Sequence, residues 1–453
     1  MSDHYLDRMA RFAQSLSVQD LPGDVIDRAQ WLVLDGIAVM VAGSAEPHVA
    51  RLADLLRRRG SQGRSLLVGG GFRGDAADAA LANATAACVH VLDEGHKYAR
   101  GHVGTYVLPA VLAVAEEREL TGSDLLCALV AGYELAARMG IACRVRESMH
   151  PSGTWGTVGA AAATARLMGF DAAGIRQAMN VAAPLTLATS WQAATQGATV
   201  RDLYSGQGAA NAVNAPRWVE AGFTGSDDDV GHVFGRVVAE RFDSAAAAAD
   251  LGVCWEVLRN YFKVHACCRN FQSGIDAALQ LREQHGLAAA DIVSVRADTF
   301  AIPARDNIER TPANVLAAKE SFPVSLALTL VNGRCDASVF TPVHVAHPEV
   351  ARLAAACEVR CDPQLDALAP EQRPSRITLL LRDGSQVTGY APVARGDPSW
   401  PLTPAELEAK FQAAVAPRLG ARQADAIRQV VRSWPDRRPL HELTRLLQPA
   451  AST

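Results

Sequence analysis

The stretch LANATAACVHVLDEGHKYARGHVGTYVLPAVLAVAE, residues 81–116, decides the reading of this chain. Alanine-rich, apolar sequence runs up to Cys88 and apolar sequence resumes at Thr105, so helices are expected over about 75–92 and 105–118. Between them the chain gathers His90, Asp93, Glu94, His96, Lys97, Arg100 and His102 on one connection. Connections held by rigid elements are where functional groups concentrate. The plain alternative is a solvated polar loop, but the charges follow the apolar run ACVHVL, so part of the group should be half buried. Three histidines and two acids invite a metal reading. The His90–His96 spacing fits no zinc signature and no HExxH occurs, so no metal is expected.

Upstream, DVIDRAQWLVLDGIAVMVAG (24–43) repeats apolar residues at helical spacing and closes on Gly43. Downstream, helical segments are expected at about 122–140, 156–169, 172–182 and 207–222. GGGFRGD (69–75) is a glycine-rich stretch before a helix, but it lacks the Lys-Ser/Thr of a phosphate loop and reads as a plain connection. After about 270 the texture changes. DIVSVRADTF alternates β-branched residues, and SRITLLLRDGSQVTGYA is two strand-like runs around Asp383–Gly384, a hairpin signal. Residues 314–333 and 347–358 look helical, and Thr403–Pro404 with Glu406 opens a helical return. The fold class is therefore mainly α, a large helical part with a smaller α+β insert.

The 453 residues carry 44 Lys+Arg against 48 Asp+Glu, a net charge of −4, with 49% hydrophobic and 6% aromatic residues. The balance excludes a disordered chain and gives no global basic field for nucleic acid or an anionic membrane. Nine cysteines, an odd number in mostly apolar runs, and an N-terminus (MSDHYLDRMARF) without an apolar signal core point to the cytoplasm. The longest apolar run is read near VLAVAE (111–116), short of the roughly 20 residues of a span, so no membrane segment is expected.

Three further stretches carry chemistry. NYFKVHACCRNF places Lys263, His265, Cys267, Cys268 and Arg269 where the texture changes, and a seam between two parts is a common site. A lysine there can neutralise carboxylates or, desolvated, act as a base. HPSGTWGTVGAAAATARLMGF opens with His150, Ser152, Thr154, Trp155 and Thr157. GATVRDLYSGQGAANA sets Arg201 and Tyr204 before a small-residue helix. The plain readings are a hinge with surface charges and structural side chains.

These stretches, in this order, resemble the MmgE/PrpD family of dehydratases, decarboxylases and epimerases of small di- and tricarboxylates. The resemblance runs from about residue 5 to 440. It includes DGIAVMVAGS, the signature at 81–116, GTVGAAAATARLMGFD, RDLYSGQGAANA, the Lys263–Cys268 stretch followed by GIDAAL, and SFPVSLALTLVNG. It implies an all-helical domain over 1–265 and 400–445, an α+β lid domain over 266–399, a site between them, a homodimer, and no metal or organic cofactor. Position by position it implies Asp93, His102 and Lys263 as catalytic residues. His96, Trp155, Arg201, Tyr204 and Arg269 are the expected substrate-binding groups. Trp155 stands where the family's loop carries a catalytic His, Arg201 replaces a Lys, Val324 replaces a Tyr in the lid helix, and the signature is one residue short. The activity implied is a lyase, a dehydratase or decarboxylase, working by proton transfer next to a carboxylate. The missing His at 155 shifts weight toward an epimerase or isomerase. A non-catalytic carboxylate-binding protein is the third reading.

Overall fold

The computed structural model describes residues 4–448, so the first three residues of the expected 1–265 segment lie outside the described residues. The described residues are mainly helical, with two large apolar cores and a small third cluster of Val49, Ala86 and Val89. The first is drawn from Tyr5 to Phe262 and again from Leu407 to Leu447, and the second lies wholly within Ala266–Ala391.

Helices Gly23–Gly43, Ala76–Cys88, Gly104–Glu117, Gly122–Ala142, Trp155–Leu167 and Val200–Glu220 build the first core. Small residues let them approach closely. A Cβ on Gly159 would sit 2.4 Å from the Ala136 backbone nitrogen, and one on Gly156 would sit 2.2 Å from the Tyr106 ring. Side chains hold the helix ends: Asp75 accepts from the Ala77 amide, and Thr121 and Asp124 form a capping box. Helix Gly122–Ala142 corrects the reading of the longest apolar run. It is long and apolar enough to cross a membrane, yet 94% of its apolar window is buried inside the fold. Its Glu134 and Arg138 pair with each other there, and Glu134 also accepts from the amides of Glu256 and Val257. It is a core helix.

The second core is a four-stranded sheet covered by helices. The strand order is Gln386–Ala391, Ser375–Leu381, Ile292–Thr299, Cys357–Cys361, with the last pair parallel and the others antiparallel. The Asp383–Gly384 hairpin and the strand at 292–299 fall as read from the sequence. The Cys357–Cys361 strand does not, because the helical reading of 347–358 ran past the end of helix Pro348–Ala355. The expected helix over 314–333 is broken. Helix Val315–Lys319 ends, Ser321 caps a new start by accepting from the Val324 amide, and Pro323 sits in the first turn of Phe322–Asn332. GGGFRGD is no open loop: Phe72–Gly74 pairs antiparallel with Ser65–Leu67.

The return segment, helices Pro404–Leu419 and Ala421–Arg432, packs on Gly23–Gly43 and starts with the expected Thr403–Glu406 capping box. The small-residue segments at 156–168 and 207–213 and the apolar helix at 105–115 bury most of their surface inside the chain, which leaves little of it for contact with a second subunit. All nine cysteines are free thiols, seven of them buried, with Cys254 and Cys361 exposed.

Candidate active site

Two segments cross the seam beside each other. Gly95–His96 pairs with Asn260–Tyr261, and His96 bridges to Gly101, so residues 96–101 form a tight turn. The turn docks on the second core: Lys97 donates to the Glu371 carbonyl at 2.8 Å, Tyr98 to the Glu371 carboxylate at 2.6 Å, and Arg373 to the Lys97 carbonyl at 3.0 Å. A cavity of about 470 Å³ opens there, lined from the first core by Val91, His102, His150, Trp155, Arg201 and Lys263, among others, and from the second by Phe300, Glu320 and Arg373, among others.

Asp93 sits against the wall of this cavity. It is buried, with Oδ2 2.9 Å from His102 Nδ1 and Oδ1 3.7 Å from Lys263 Nζ. Burial pushes its pKa up, but the charges on His102 and Lys263 override this and hold the carboxyl below its ordinary range. Lys263 is fully buried and donates to the Val91 carbonyl at 2.9 Å. Burial draws its pKa down and Asp93 draws it back. Val91 has φ +54, a strained conformation for a β-branched residue.

The hydrogen bonds assign the histidine tautomers. His102 Nδ1 lies 2.7 Å from the Glu94 carbonyl oxygen as well as beside Asp93, so Nδ1 carries a proton. His150 is the reverse. Its Nδ1 accepts from the Ser152 amide at 3.1 Å, so its proton is on Nε2. Burial, then the charges on Arg201 and His102, hold His150 well below its ordinary pKa and keep it neutral. It stacks on Trp191 at 5.3 Å. The two rings are therefore anchored through Nδ1 in opposite senses, His102 donating and His150 accepting.

Cations line the same space. Arg201 is the second residue of helix Val200–Glu220, not ahead of a helix as the sequence suggested. It donates to the Cys88 carbonyl at 2.9 Å and lies 3.3 Å from Asp202 and 4.0 Å from Glu320; its Nε is buried without a partner. Arg269 stacks over Tyr261 at 4.2 Å and lies 3.6 Å from Asp397. A planar guanidinium fork suits a carboxylate.

The structure separates the other sequence candidates. His96 Nε2 faces Glu256 at 3.0 Å and does not line the cavity. His90 pairs with Glu46 at 2.8 Å. The histidines bunched in the signature thus point to different partners, and only His102 meets Asp93; among the described residues no three His, Cys, Asp or Glu side chains converge as a ligand set. Tyr204 does not line the cavity either; its hydroxyl accepts from the Ser190 amide at 3.2 Å, and its ring lies 6.0 Å from His150. Trp155 lines the cavity, edge-on to Tyr106 at 5.8 Å. The resemblance sets Trp155 against the family's loop histidine, and the structure places His150, five residues earlier in the same loop, on the same cavity. The HPSG turn was the available signal.

A family model described as the MmgE/PrpD N-terminal domain matches residues 7–239, and one described as the MmgE/PrpD C-terminal domain matches residues 265–436. Cis-aconitate decarboxylase of Aspergillus terreus is 24% identical over 408 residues, covering 84% of this chain and 83% of that one. The cis-aconitate decarboxylase of Mus musculus is 25% identical over 466 residues (97% and 92%), and that of Homo sapiens 24% over 462 residues (96% and 92%).

Proposed function

The chain belongs to the MmgE/PrpD family, and from that premise we propose that it is a lyase that decarboxylates a small tricarboxylate of the cis-aconitate type. The observation that carries the reading is the cavity in which His102, anchored through Nδ1–H beside Asp93, meets the Nε2–H of His150 and the positive charge of Arg201, Lys263 and Arg269. The relatives named as cis-aconitate decarboxylases support that substrate type.

The chemistry follows from those groups. Arg201 and Arg269 hold the substrate's carboxylates, and Lys263 balances the charge that develops beside them. The bond to the departing carboxylate breaks and releases carbon dioxide. The electron pair left on carbon, spread toward the remaining unsaturation and carboxylate, takes up one proton there. His102, which can collect a proton on Nε2 and is steadied as a cation by Asp93, delivers it. His150 stays neutral and donates a hydrogen bond to the charge-bearing oxygen. Residues 266–399 act as the lid over the reacting groups, and the reaction needs no metal or organic cofactor. The weight that Trp155 gave to an epimerase rested on a missing histidine, and His150 supplies one.

The test is to incubate the protein with cis-aconitate, citrate and 2-methylcitrate in deuterated water and follow products by proton NMR and released carbon dioxide. Carbon dioxide release with one deuteron in the product, abolished in His102→Ala, is the expected result. Deuterium exchange without loss of carbon dioxide or water would overturn the lyase reading in favour of an epimerase.

A further inference from the structure

A second cavity, of about 920 Å³, opens between the two cores and shares no lining residue with the one that holds His102 and Lys263. Two dipeptides form the wall between them. Arg201 and Glu320 line the catalytic side, while their chain neighbours Asp202 and Lys319 line the other. The break that ends helix Val315–Lys319 places Lys319 and Glu320 on opposite sides. Asp202 spans the wall, with Oδ1 3.3 Å from Arg201 and Oδ2 3.2 Å from His48.

Two carboxylates, Glu46 and Asp202, and two cations, Lys319 and Arg310, line the second cavity, and the carboxylates are already engaged, Glu46 by His90 at 2.8 Å and Asp202 by His48 at 3.2 Å. Lys319 is buried, donates to the Val89 carbonyl at 3.2 Å, and has no carboxylate within ion-pair distance among the described residues. An ammonium has three protons to place, and Lys319 uses one on that carbonyl, with Glu46 and Asp202 acting on it only from beyond ion-pair distance and the Phe340 ring 6.0 Å away. Burial draws its pKa down to about 8, so it is still mostly charged at neutral pH. Arg310 adds an exposed cation at the rim, held by the Cys357 carbonyl at 2.8 Å. The wall facing these charges is apolar: Val324, Phe340, Val345 and Val350. A buried cation opposite an apolar wall selects an anion that carries a hydrocarbon body.

We propose that this cavity is a second binding site, for a medium-chain acyl carboxylate, with its head on Lys319 and its chain against Val324, Phe340 and Val345. The site is independent of the catalytic cavity for binding. A ligand seated on Lys319 would also bear on Glu320 and, through Asp202, on Arg201.

Octanoate titrated into the full-length protein by isothermal calorimetry tests this. The expected result is one octanoate per chain, with affinity lowered about tenfold or more in Lys319→Met, as loss of a charge-assisted hydrogen bond requires, and kept in Lys319→Arg. Val324→Tyr, which narrows the cavity from its apolar side, should also lose binding, while Lys263→Met, altered only on the catalytic side, should bind as the parent does. No saturable binding by the parent would overturn the proposal. So would unchanged affinity in Lys319→Met, or loss in Lys263→Met. The readout is binding alone, so it stands or falls separately from the decarboxylase reading.

Discussion

Asp93 and Glu94 are consecutive buried carboxyls that ionise in opposite senses. Asp93 faces His102 and Lys263 and stays charged. Glu94 faces the other way, accepting from the Gly104 amide and from the Tyr133 hydroxyl at 2.9 Å, and burial pushes its pKa up to about 8. Asp93→Asn should therefore lower kcat/KM by about 10²-fold or more, and Glu94→Gln, which keeps a neutral group, by far less. The same carboxyl sets a stability slope. A carboxyl raised from an unfolded value of about 4.3 favours the folded state below that pH, and the benefit fades as pH rises toward about 8. Glu94→Gln should flatten that slope in denaturant melts at pH 5, 6.5 and 8. Lys263→Arg separates two roles: Arg keeps the positive charge but cannot give up its proton. Near-parental turnover in Lys263→Arg with loss in Lys263→Met, read from kcat, would make Lys263 an electrostatic group only, as proposed here. That Asp93, His102 and Lys263 come together was legible only from the family resemblance, since the charge-dense stretch at 90–102 does not by itself separate His102 from His90 and His96. His150 was not, because its role depends on which ring nitrogen meets the Ser152 amide and on Arg201, 51 positions away.

Elements are placed by their caps and by single buried contacts. The return helix Pro404–Leu419 brings Lys410 under the signature loop, where its ammonium contacts Asp35 and donates to the Leu92 carbonyl at 3.0 Å, next to Asp93. Asp35 is buried and its Oδ2 has no partner. Burial raises the Asp35 pKa and Lys410 opposes it. Lys410→Met would strand that carboxylate, at a cost of about 3–5 kcal/mol. The direction with pH follows: protonated Asp35 suits the folded state, so stability of the variant falls as pH rises through the Asp35 pKa, and the deficit shrinks in acid. Thermal melts of parent and variant from pH 5 to 8 read this, and an equal deficit at every pH would disprove it. The helical return itself was legible from Thr403, Pro404 and Glu406, as were the hairpin at Asp383–Gly384 and most helices of the first core. The break at Ser321 was not, because the apolar spacing runs straight through it and only Pro323 and one hydroxyl cap interrupt the helix.

At the scale of the molecule, the homodimer that the family resemblance implies needs an exposed apolar face. Val200, Leu203, Trp218 and Phe223 are the exposed apolar side chains on and just after helix Val200–Glu220. We expect a homodimer that uses this face, seen as twice the chain mass in light scattering at micromolar concentration, and reduced to the chain mass by Trp218→Glu with Leu203→Glu. The chain as a whole carries −4, which taken alone would repel a polycarboxylate, so added salt would speed its capture. The cavity has the opposite sign: eight Lys and Arg side chains line it against three carboxylates. Arg100, at φ +57, and Arg373 carry no ion pair among the described residues, and both line the cavity. Fields in a low-dielectric cleft act on a substrate within about 10 Å, the screening length at 0.1 M salt, so the cleft outweighs the distant surface. For a trianionic substrate kcat/KM should then fall several-fold between about 0.02 and 0.3 M salt, through KM more than kcat. Arg100→Ala and Arg373→Ala should each raise KM and make that salt dependence shallower while leaving kcat near parental. A kcat/KM that rises with salt would show that net charge, not the arginine-lined cleft, governs capture.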